Sequence, residues 1–178
     1  MHPFDRIVRL GKFDDPLKQL VHRMKYNRRW NLAGHLADWL YQEERVRRLL
    51  ADADVIIPVP LHWRRQIARG YNQADLLAAA LAKLAKLKLI GAVKRIRPTE
   101  SQTAIHSRTI REENVRGAFA LKKLKSLAGK RVVVVDDVMT TAATLQAVGR
   151  ALKATKPASI SAIVLAVADP KRRDFEGI

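Results

Sequence analysis

The fold is decided by the stretch Arg131-Val-Val-Val-Val-Asp-Asp-Val-Met-Thr-Thr-Ala-Ala-Thr-Leu145. Its four consecutive valines are β-branched, a pattern typical of a strand that is buried on both faces of a parallel sheet. Asp136 and Asp137 stand where this strand is expected to leave the sheet, at the edge where open α/β sheets bind ligands. Residues 138–144 then lead into a predicted helix, whose first turn offers backbone N–H groups and the positive end of a dipole. This order favours binding of an anion, phosphate above all.

Small and hydroxyl-bearing side chains fill the turn after the carboxylates. Hydroxyl donors come from three threonines, and two alanines let a ligand approach the backbone: Thr140, Thr141, Thr144, Ala142 and Ala143. An Asp-Asp pair after an apolar strand also occurs in receiver domains, near their start, and in Walker-B strands. Here the pair lies late in the sequence, and no G-x-x-x-x-G-K-[ST] loop precedes it. The alternative that stays open is a buried strand whose carboxylate caps the next helix.

The composition indicates a globular protein of one domain. The chain has 178 residues, of which 48% are hydrophobic and 29% charged, and this suits a single core. We expect one domain over residues 1–178, with a helical N-terminal part (1–50) and a core (51–170). No apolar run approaches the ~20 residues of a membrane span, charged residues interrupt the N-terminal segment, and cysteine is absent. A soluble, cytoplasmic protein with no membrane partner is therefore expected.

The net charge of +17 is distributed unevenly along the chain. Residues 1–50 carry +5, residues 51–130 carry +10, and residues 131–178 carry only +2. A field of this sign attracts polyanions such as pyrophosphate groups, nucleic acid or acidic partners. The alternative is a surface that serves only solubility.

Hydrophobic periodicity predicts strands that alternate with helices. The predicted helices cover residues 17–24, 32–50, 74–89 and 143–154, and the predicted strands cover residues 6–10, 54–60, 131–135 and 159–168. In the second helix Trp39 is expected on the apolar face, and Trp63 is expected to lie partly in the core. The alternation predicts an α/β domain with a mainly parallel central sheet, flanked by helices and connected by right-handed crossovers.

The stretch 131–145 resembles the ribose-phosphate signature of type I phosphoribosyltransferases, an apolar run followed by Asp-Asp and Thr-Thr-Gly-x-Thr. The resemblance implies that Asp136 and Asp137 hold the ribose hydroxyls of phosphoribosyl pyrophosphate. It also implies that residues 138–144 (Val138, Met139, Thr140, Thr141, Ala142, Ala143 and Thr144) wrap the 5-phosphate. Ala142 departs from the pattern, because the family usually has glycine there. If the position needs a positive φ, the Cβ strains it by about 1–2 kcal/mol.

A second set of residues resembles the ComF/GntX-like branch of that superfamily. The matching segments are Ile57-Pro-Val-Pro-Leu-His62 and Arg69-Gly-Tyr-Asn-Gln73, with Arg65 between them. In related transferases the loop after this strand contacts pyrophosphate. By position, the implied pyrophosphate side comprises Pro60, Leu61, His62, Arg64, Arg65 and Arg69. Arginine suits this role because its planar guanidinium binds two phosphate oxygens at once.

Further matches lie between the two strands, at Arg95-Ile-Arg-Pro-Thr99 with Gln102, at Arg111 to Asn114, and at Gly117-Ala-Phe119. The resemblance implies a mobile loop or hairpin over the site within residues 100–113, and makes Arg111 a catalytic candidate beside the two aspartates. Such a loop would exclude water from an oxocarbenium-like centre. The alternative is a solvent-exposed hairpin without a catalytic part.

The family resemblance implies a chain that binds phosphoribosyl pyrophosphate with Mg²⁺ and transfers the phosphoribosyl group to an acceptor, releasing pyrophosphate. The acceptor is not predicted. No protein metal ligand is predicted, because Mg²⁺ would arrive on the pyrophosphate. ComF-like proteins usually carry an N-terminal cysteine zinc module, which this cysteine-free sequence does not contain, so no zinc is expected. The alternative is a non-catalytic module that binds the same ligand and single-stranded nucleic acid, through Trp30, Trp63 and Tyr71 beside basic residues.

Overall fold

The computed structural model describes residues 3–26, 29–97, 117–122, 127–140 and 142–168. The strands within these ranges are β1 (Arg6–Lys12), β2 (Val55–Pro58), β3 (Lys88–Leu89), β4 (Val93–Arg95), β5 (Phe119–Leu121), β6 (Arg131–Met139) and β7 (Ser159–Val167). The helices are α1 (Leu17–Tyr26), α2 (Leu32–Gln42), α3 (Glu44–Ala51), α4 (Trp63–Arg69), α5 (Gln73–Ala85) and α6 (Ala143–Lys153).

Five strands form one sheet in the order β1-β7-β6-β2-β3, and every neighbouring pair is parallel. Beside it, β4 and β5 pair in antiparallel fashion. The valine run of β6 is central, and its side chains alternate between the two faces because a strand has a period of two. Val132 and Val134 belong to one apolar cluster, whereas Val133 and Val135 belong to the other. The predicted fold class, a mainly parallel sheet flanked by helices, is confirmed.

Helices cover both faces of this sheet. On one face α6 packs Leu145, Val148 and Leu152 into the cluster that also contains Val93 of β4 and Phe119 of β5. On the other face α1, α2, α3 and α5 form the second cluster with the odd-numbered valines. Because β1 pairs with β7, the N-terminal part contributes a strand to the main sheet in addition to its helices.

Two predicted helices were wrong in extent. The helix predicted over 32–50 is interrupted at Glu43, which is extended (φ −65°, ψ 123°), and the Arg47 guanidinium donates to the carbonyls of Tyr41 and Gln42 at the break. Trp39 is 48% exposed instead of buried, because alanines and leucines form the inward face of α2.

The helix predicted over 74–89 ends early. It stops at Ala85 because Lys86 adopts a left-handed conformation (φ 55°), which ends the helical hydrogen-bond pattern. Lys88 and Leu89 then pair with β2 as the edge strand β3 instead of continuing the helix. The end of this helix therefore lies several residues before the predicted one.

The signature strand is longer than predicted. Asp136 and Asp137 lie within β6, which remains paired with β7 as far as Met139. On its other side, the β2 ladder ends at the pair Pro58–Val135. Proline cannot donate to a ladder and directs the chain away from the sheet. The two carboxylates therefore lie beside an opening that the departure of β2 leaves.

One ionic contact joins the starts of two neighbouring strands. The Asp54 carboxylate accepts hydrogen bonds from the Arg131 backbone N–H (2.8 Å), Nε (3.3 Å) and Nη2 (3.2 Å). These bonds hold the pKa of Asp54 down to about 2.

In the part of the chain that the structure describes, no helix is long and apolar enough to cross a bilayer.

Candidate ligand site at the carboxyl end of the sheet

A cavity of about 190 Å³ opens at the carboxyl ends of β2 and β6. Parallel α/β sheets bind ligands at this edge, where neighbouring strands diverge. Its lining residues come from five segments of the chain: Phe13, Lys25, Tyr26, Val59, Pro60, Leu61, Arg65, Arg69, Asn72, Gln73, Ala74, Arg95, Asp136, Asp137, Val138, Thr140 and Thr144. The cavity therefore combines carboxylates, hydroxyls and guanidinium groups.

The two carboxylates face different partners because they are consecutive on a strand. Asp137 follows Val133 and Val135 toward the helical face that carries α1, and its Oδ2 forms an ion pair with Lys25 Nζ at 2.9 Å. Asp136 follows the even-numbered valines toward the face where Arg95 of β4 lies. Each carboxylate also accepts the backbone N–H of the next residue, at 2.9 Å for Asp136 and 2.6 Å for Asp137.

Burial, and then the neighbouring Asp137 carboxylate, raises the pKa of Asp136 to about 7. Lys25 and Arg95 act in the opposite direction but do not compensate. Asp136 is therefore a carboxyl group whose charge changes near neutral pH, whereas Lys25 directly balances the charge of Asp137. Groups with perturbed pKa values concentrate at functional sites.

The helix α6 begins next to the cavity, after a residue with a positive φ. Ala142 has φ 59° and ψ 4°, and it provides no side-chain cap for the first N–H groups of this helix. Ala142 therefore adopts the positive φ at which a residue with a Cβ is strained. Thr140 and Thr144 line the cavity on either side of this turn.

Guanidinium groups form the basic part of the cavity. Arg65 and Arg69 extend from α4, which follows the Pro-rich exit from β2, and Arg95 extends from β4. Burial, and then the proximity of Arg65, lowers the pKa of Arg95 to about 10. Burial followed by repulsion from Arg69 lowers the pKa of Arg65 as well. Three like charges held together in this way create a strong local attraction for an anion.

The structure brings together only part of each predicted group. Of the predicted 5-phosphate residues, Val138, Thr140 and Thr144 line the cavity, whereas Met139, Ala142 and Ala143 are buried beneath it. Of the predicted pyrophosphate residues, those that line it are Pro60, Leu61, Arg65 and Arg69. Thr141, Arg111 and the predicted loop over 100–113 lie outside the described residues.

His62 and Arg64 do not line the cavity. The buried His62 imidazole accepts the Arg64 backbone N–H at 3.3 Å and caps the start of α4. Burial, and then the proximity of Arg95, Arg64 and Arg65, lowers the His62 pKa, which favours the neutral ring. The Arg64 guanidinium lies 5.3 Å above the Trp63 ring instead.

Sequence reasoning missed several residues of the cavity wall. Lys25 and Tyr26 close α1, more than a hundred residues before the carboxylates, and no local motif marks them. Asn72 and Gln73 stand inside the Arg-Gly-Tyr-Asn-Gln segment, but the sequence analysis assigned roles there only to Arg69 and, in the nucleic-acid alternative, to Tyr71. Asn72 is structural: its side chain caps α5 and donates to the Val59 carbonyl at 3.0 Å.

Tyr26, which lines the cavity, is one of several exposed aromatic side chains. Tyr26, Trp30 and Trp63 are 58%, 63% and 57% exposed, so the prediction that Trp63 lies partly in the core was wrong. α4 has no fully buried residue, and its Trp63 projects outward. Tyr71 differs, because its hydroxyl donates to the Met24 carbonyl and fixes α1.

The sequence of this chain matches a known protein family. The family model described as a phosphoribosyl transferase domain matches residues 68–176. The chain belongs to this family. Among its relatives are Competence protein F of Haemophilus influenzae, 35% identical over 84% of this chain, and the DNA utilization protein YhgH of Escherichia coli K12, 35% identical over 84%. These matches assign the chain to the ComF-like branch of the family. They span 67% and 66% of the two relatives' own lengths.

Solved structures that resemble this phosphoribosyltransferase-family chain include two proteins named for phosphoribosyl chemistry. The glutamine phosphoribosylpyrophosphate amidotransferase of B. subtilis is 22% identical, with a TM-score of 0.49 over 74% of this chain and 25% of that one. The purine phosphoribosyltransferase of Pyrococcus horikoshii is 19% identical, with a TM-score of 0.48 over 74% of this chain and 73% of that one.

Proposed function

We propose that the protein binds phosphoribosyl pyrophosphate with Mg²⁺ and transfers the phosphoribosyl group to an acceptor, with release of pyrophosphate. The observation that carries this proposal is the single cavity in which the Asp136–Asp137 pair, the turn into α6 and the arginines of α4 and β4 meet. A ribose that carries phosphate groups at both ends needs acceptors for its hydroxyls and donors for its phosphates. The cavity provides both kinds of group.

Each group has a role in this reaction. Asp136 and Asp137 accept hydrogen bonds from the ribose hydroxyls, and the ion pair with Lys25 orients Asp137. The N–H groups at the start of α6, with Thr140 and Thr144, hold the 5-phosphate. Arg65, together with Arg69 and Arg95, stabilises charge on the departing pyrophosphate, so that catalysis consists mainly of positioning and electrostatic stabilisation.

The donor set fits Mg²⁺ that arrives with the substrate. Among the described residues there is no cluster of three or more His, Cys, Asp or Glu side chains that could hold a metal ion. Mg²⁺ commonly binds through substrate phosphates and waters with one or two carboxylates, and Asp136 is the carboxylate nearest to that requirement because Lys25 occupies Asp137. When bound, the ion would neutralise negative charge on the pyrophosphate.

Calorimetric titration with phosphoribosyl pyrophosphate and Mg²⁺ tests the site. We expect heat of binding with the wild-type protein and a loss of affinity in an Asp136→Asn/Asp137→Asn double variant. Asp38→Asn, on the exposed face of α2, is the matched control for loss of a carboxylate and should bind at least as tightly as the wild type does. Absence of binding in the wild type, or undiminished binding in the double variant, contradicts the proposal. Release of pyrophosphate with a panel of nucleobases and amines then separates turnover from binding alone.

A second candidate function is binding of single-stranded nucleic acid, either beside or in place of catalysis. The observation that favours it is the group of exposed Tyr26, Trp30 and Trp63 side chains, with Arg64 above Trp63 and Arg69 5.4 Å above the Tyr26 ring. Proteins hold such strands by stacking the bases on aromatic side chains and by placing basic side chains along the phosphate backbone. The relatives named for competence and DNA utilization fit this candidate.

Fluorescence anisotropy with labelled oligonucleotides distinguishes the two functions. We expect salt-dependent binding that a Trp30→Ala/Trp63→Ala double variant weakens. Trp39→Ala removes an equally exposed tryptophan from α2 and should leave binding unchanged. If the wild type fails to bind even at low ionic strength, nucleic-acid binding is rejected and the enzymatic proposal is unaffected.

A further inference from the structure

The Gln73 side chain presents an unsatisfied amide donor at the wall of the cavity. Gln73 is the first residue of α5 and is only 2% exposed. Its Oε1 accepts a hydrogen bond from Arg69 Nη1 at 2.6 Å, whereas its Nε2 has no partner in the described structure. A guanidinium group only donates, so the amide oxygen must face Arg69 and the NH₂ group must face away from it.

Such a donor is unfavourable in a protein that binds nothing. Buried polar groups are nearly always hydrogen-bonded, because an unpaired one loses its hydration without compensation. The following residues of α5 that face inward are apolar, Ala74 and Leu77 among them. A buried amide at the end of this helix that lines the cavity is therefore best explained by an acceptor that arrives with a ligand.

The surroundings of Gln73 identify the chemistry of that acceptor. Arg69 is in direct contact with it, and Arg65 is close enough to Arg69 for repulsion to act on its pKa. Arg95 is in turn close to Arg65. An oxygen that accepts from the amide in this field is anionic, and several cations in a row match a group with more than one charge, such as a diphosphate.

We infer that Gln73 donates a hydrogen bond from Nε2 to a pyrophosphate oxygen of the ligand and so distinguishes a diphosphate from a sugar monophosphate. This inference rests on the proposed function, in which the turn into α6 holds the other phosphate. Arg69 acts as a positioning residue here as well as a cation, because its bond to Oε1 sets the direction of the NH₂ group.

The test compares three ligands by calorimetry at constant Mg²⁺: phosphoribosyl pyrophosphate, inorganic pyrophosphate and ribose 5-phosphate. Gln73→Met keeps the length of the side chain and removes the donor, whereas Gln73→Glu keeps the acceptor for Arg69 but replaces the donor with an oxygen. We expect both variants to bind the two diphosphates about tenfold or more weakly, the loss typical of a hydrogen bond to a charged group. Affinity for ribose 5-phosphate should change little in Gln73→Met.

Two controls separate ligand recognition from folding. Gln66→Met changes an exposed glutamine on α4 and should alter none of the three affinities. The ligand-free Gln73→Met variant should melt near the wild-type temperature, because removal of the unpaired buried donor offsets loss of the acceptor for Arg69. If the methionine variant folds poorly, the affinities of Gln73→Glu for the three ligands test the inference in its place.

The outcomes are distinct. Wild-type affinity for both diphosphates in the Gln73 variants overturns this inference and leaves the proposed function intact. An equal loss for ribose 5-phosphate overturns the assignment of Gln73 to the pyrophosphate. Binding of pyrophosphate that depends on Gln73, with no binding of phosphoribosyl pyrophosphate by the wild type, supports the subsite and overturns the proposed function. A wild type that binds none of the three overturns both.

Discussion

Two neighbouring carboxylates in this site differ in charge behaviour because of the strand they share. Alternation along β6 turns Asp137 toward Lys25 of α1 and Asp136 toward the face that carries Arg95. A carboxyl group without a close counter-charge is disfavoured when it is ionised in a poorly solvated place. At the scale of the residue, the site therefore combines a carboxylate that is paired with an ammonium group and a carboxyl group whose pKa is raised by burial.

Replacing Asp136 should change how stability depends on pH. Its folded pKa of about 7 lies above the ordinary 3.8, so its stabilising contribution is complete below the unfolded pKa and is lost as pH rises through the folded one. The wild-type free energy of unfolding should fall by up to about 1.4 kcal/mol per pH unit in this window. Asp136→Asn should remove this slope, which chemical unfolding at a series of pH values between the ordinary pKa of 3.8 and the folded value of about 7 measures.

Asp137→Asn is the comparison for that experiment. It breaks the ion pair with Lys25 and leaves the ammonium without its partner, so this variant should be less stable than the wild type across the same pH range. If Asp136→Asn keeps the wild-type slope, the titrating group is not Asp136.

The left-handed backbone conformation of Ala142 leads to a second prediction about a single residue. In Ala142→Gly, relief of left-handed strain contributes about 1–2 kcal/mol, whereas greater freedom of the unfolded chain costs about 0.4–1 kcal/mol. Loss of a buried methyl group costs roughly 0.8 kcal/mol more. The three effects nearly cancel, and the free energy of unfolding should change by less than about 1 kcal/mol.

The converse substitution at an exposed turn isolates the strain. Gly129 has φ 69° and open space where a Cβ would lie, so Gly129→Ala buries no methyl group. Its free energy of unfolding should decrease by about 1 kcal/mol, measured by the same denaturant titration. A strongly stabilised Ala142→Gly would show that the methyl group contributes less to packing than its 4% exposure implies.

At the scale of the element, the sequence predicts type and order better than it predicts ends. The valine run and the helix with Leu145, Val148 and Leu152 inward have strong periodicity, and both were predicted correctly. The break at Glu43 and the end of α5 at Lys86 depend on single backbone conformations. Any residue can adopt the first, and lysine adopts the second without a propensity signal, so the pattern could not locate them.

The candidate site divides in the same way. Its part around Asp136 and Thr140 is contiguous in sequence and was predicted from a short motif. Lys25 and Arg95 reach the cavity only because α1 and β4 pack on opposite faces of the sheet. Topology, which periodicity does not specify, supplies these residues.

The contact between Asp54 and Arg131 predicts how two elements are held together. Because the Asp54 pKa is lowered to about 2 from 3.8, its stabilising contribution is present above the ordinary value and is lost as pH falls through the lowered one. Asp54→Asn should lower the melting temperature at neutral pH. The difference in melting temperature between this variant and the wild type should vanish as the pH approaches about 2. Glu44→Gln, which breaks an exposed i,i+4 pair with Arg48, should shift it far less. Equal shifts would mean that Asp54 acts only as a surface charge.

At the scale of the whole molecule, the positive field and the cavity reinforce each other. The net charge is +17, and most of the excess lies before β6, in the segments that also supply Lys25, Arg65, Arg69 and Arg95. A polyanion is therefore attracted to the surface as a whole before it contacts the cavity.

This field should make anion binding depend on salt. Raising NaCl from about 0.1 M to about 1 M shortens the screening length from about 10 Å to about 3 Å, so wild-type affinity for pyrophosphate should fall. A Lys83→Gln/Lys88→Gln variant changes only exposed lysines outside the cavity. It should bind more weakly at low salt and equal the wild type at high salt. Calorimetry at both salt concentrations measures the difference, and parallel salt curves for the two proteins would confine the attraction to the cavity.

The pairing of β1 with β7 also has a consequence for the order of folding. The Asp5 carboxylate accepts the Ile160 N–H at 2.8 Å, across 155 positions of sequence. On the ribosome β1 therefore emerges long before β7, which must lie between it and β6 in the finished sheet. Contacts of such long range slow folding because the chain loses entropy before the pairing rewards it. During synthesis, β1 cannot pair with β7 until β7 has been translated, after every other strand described.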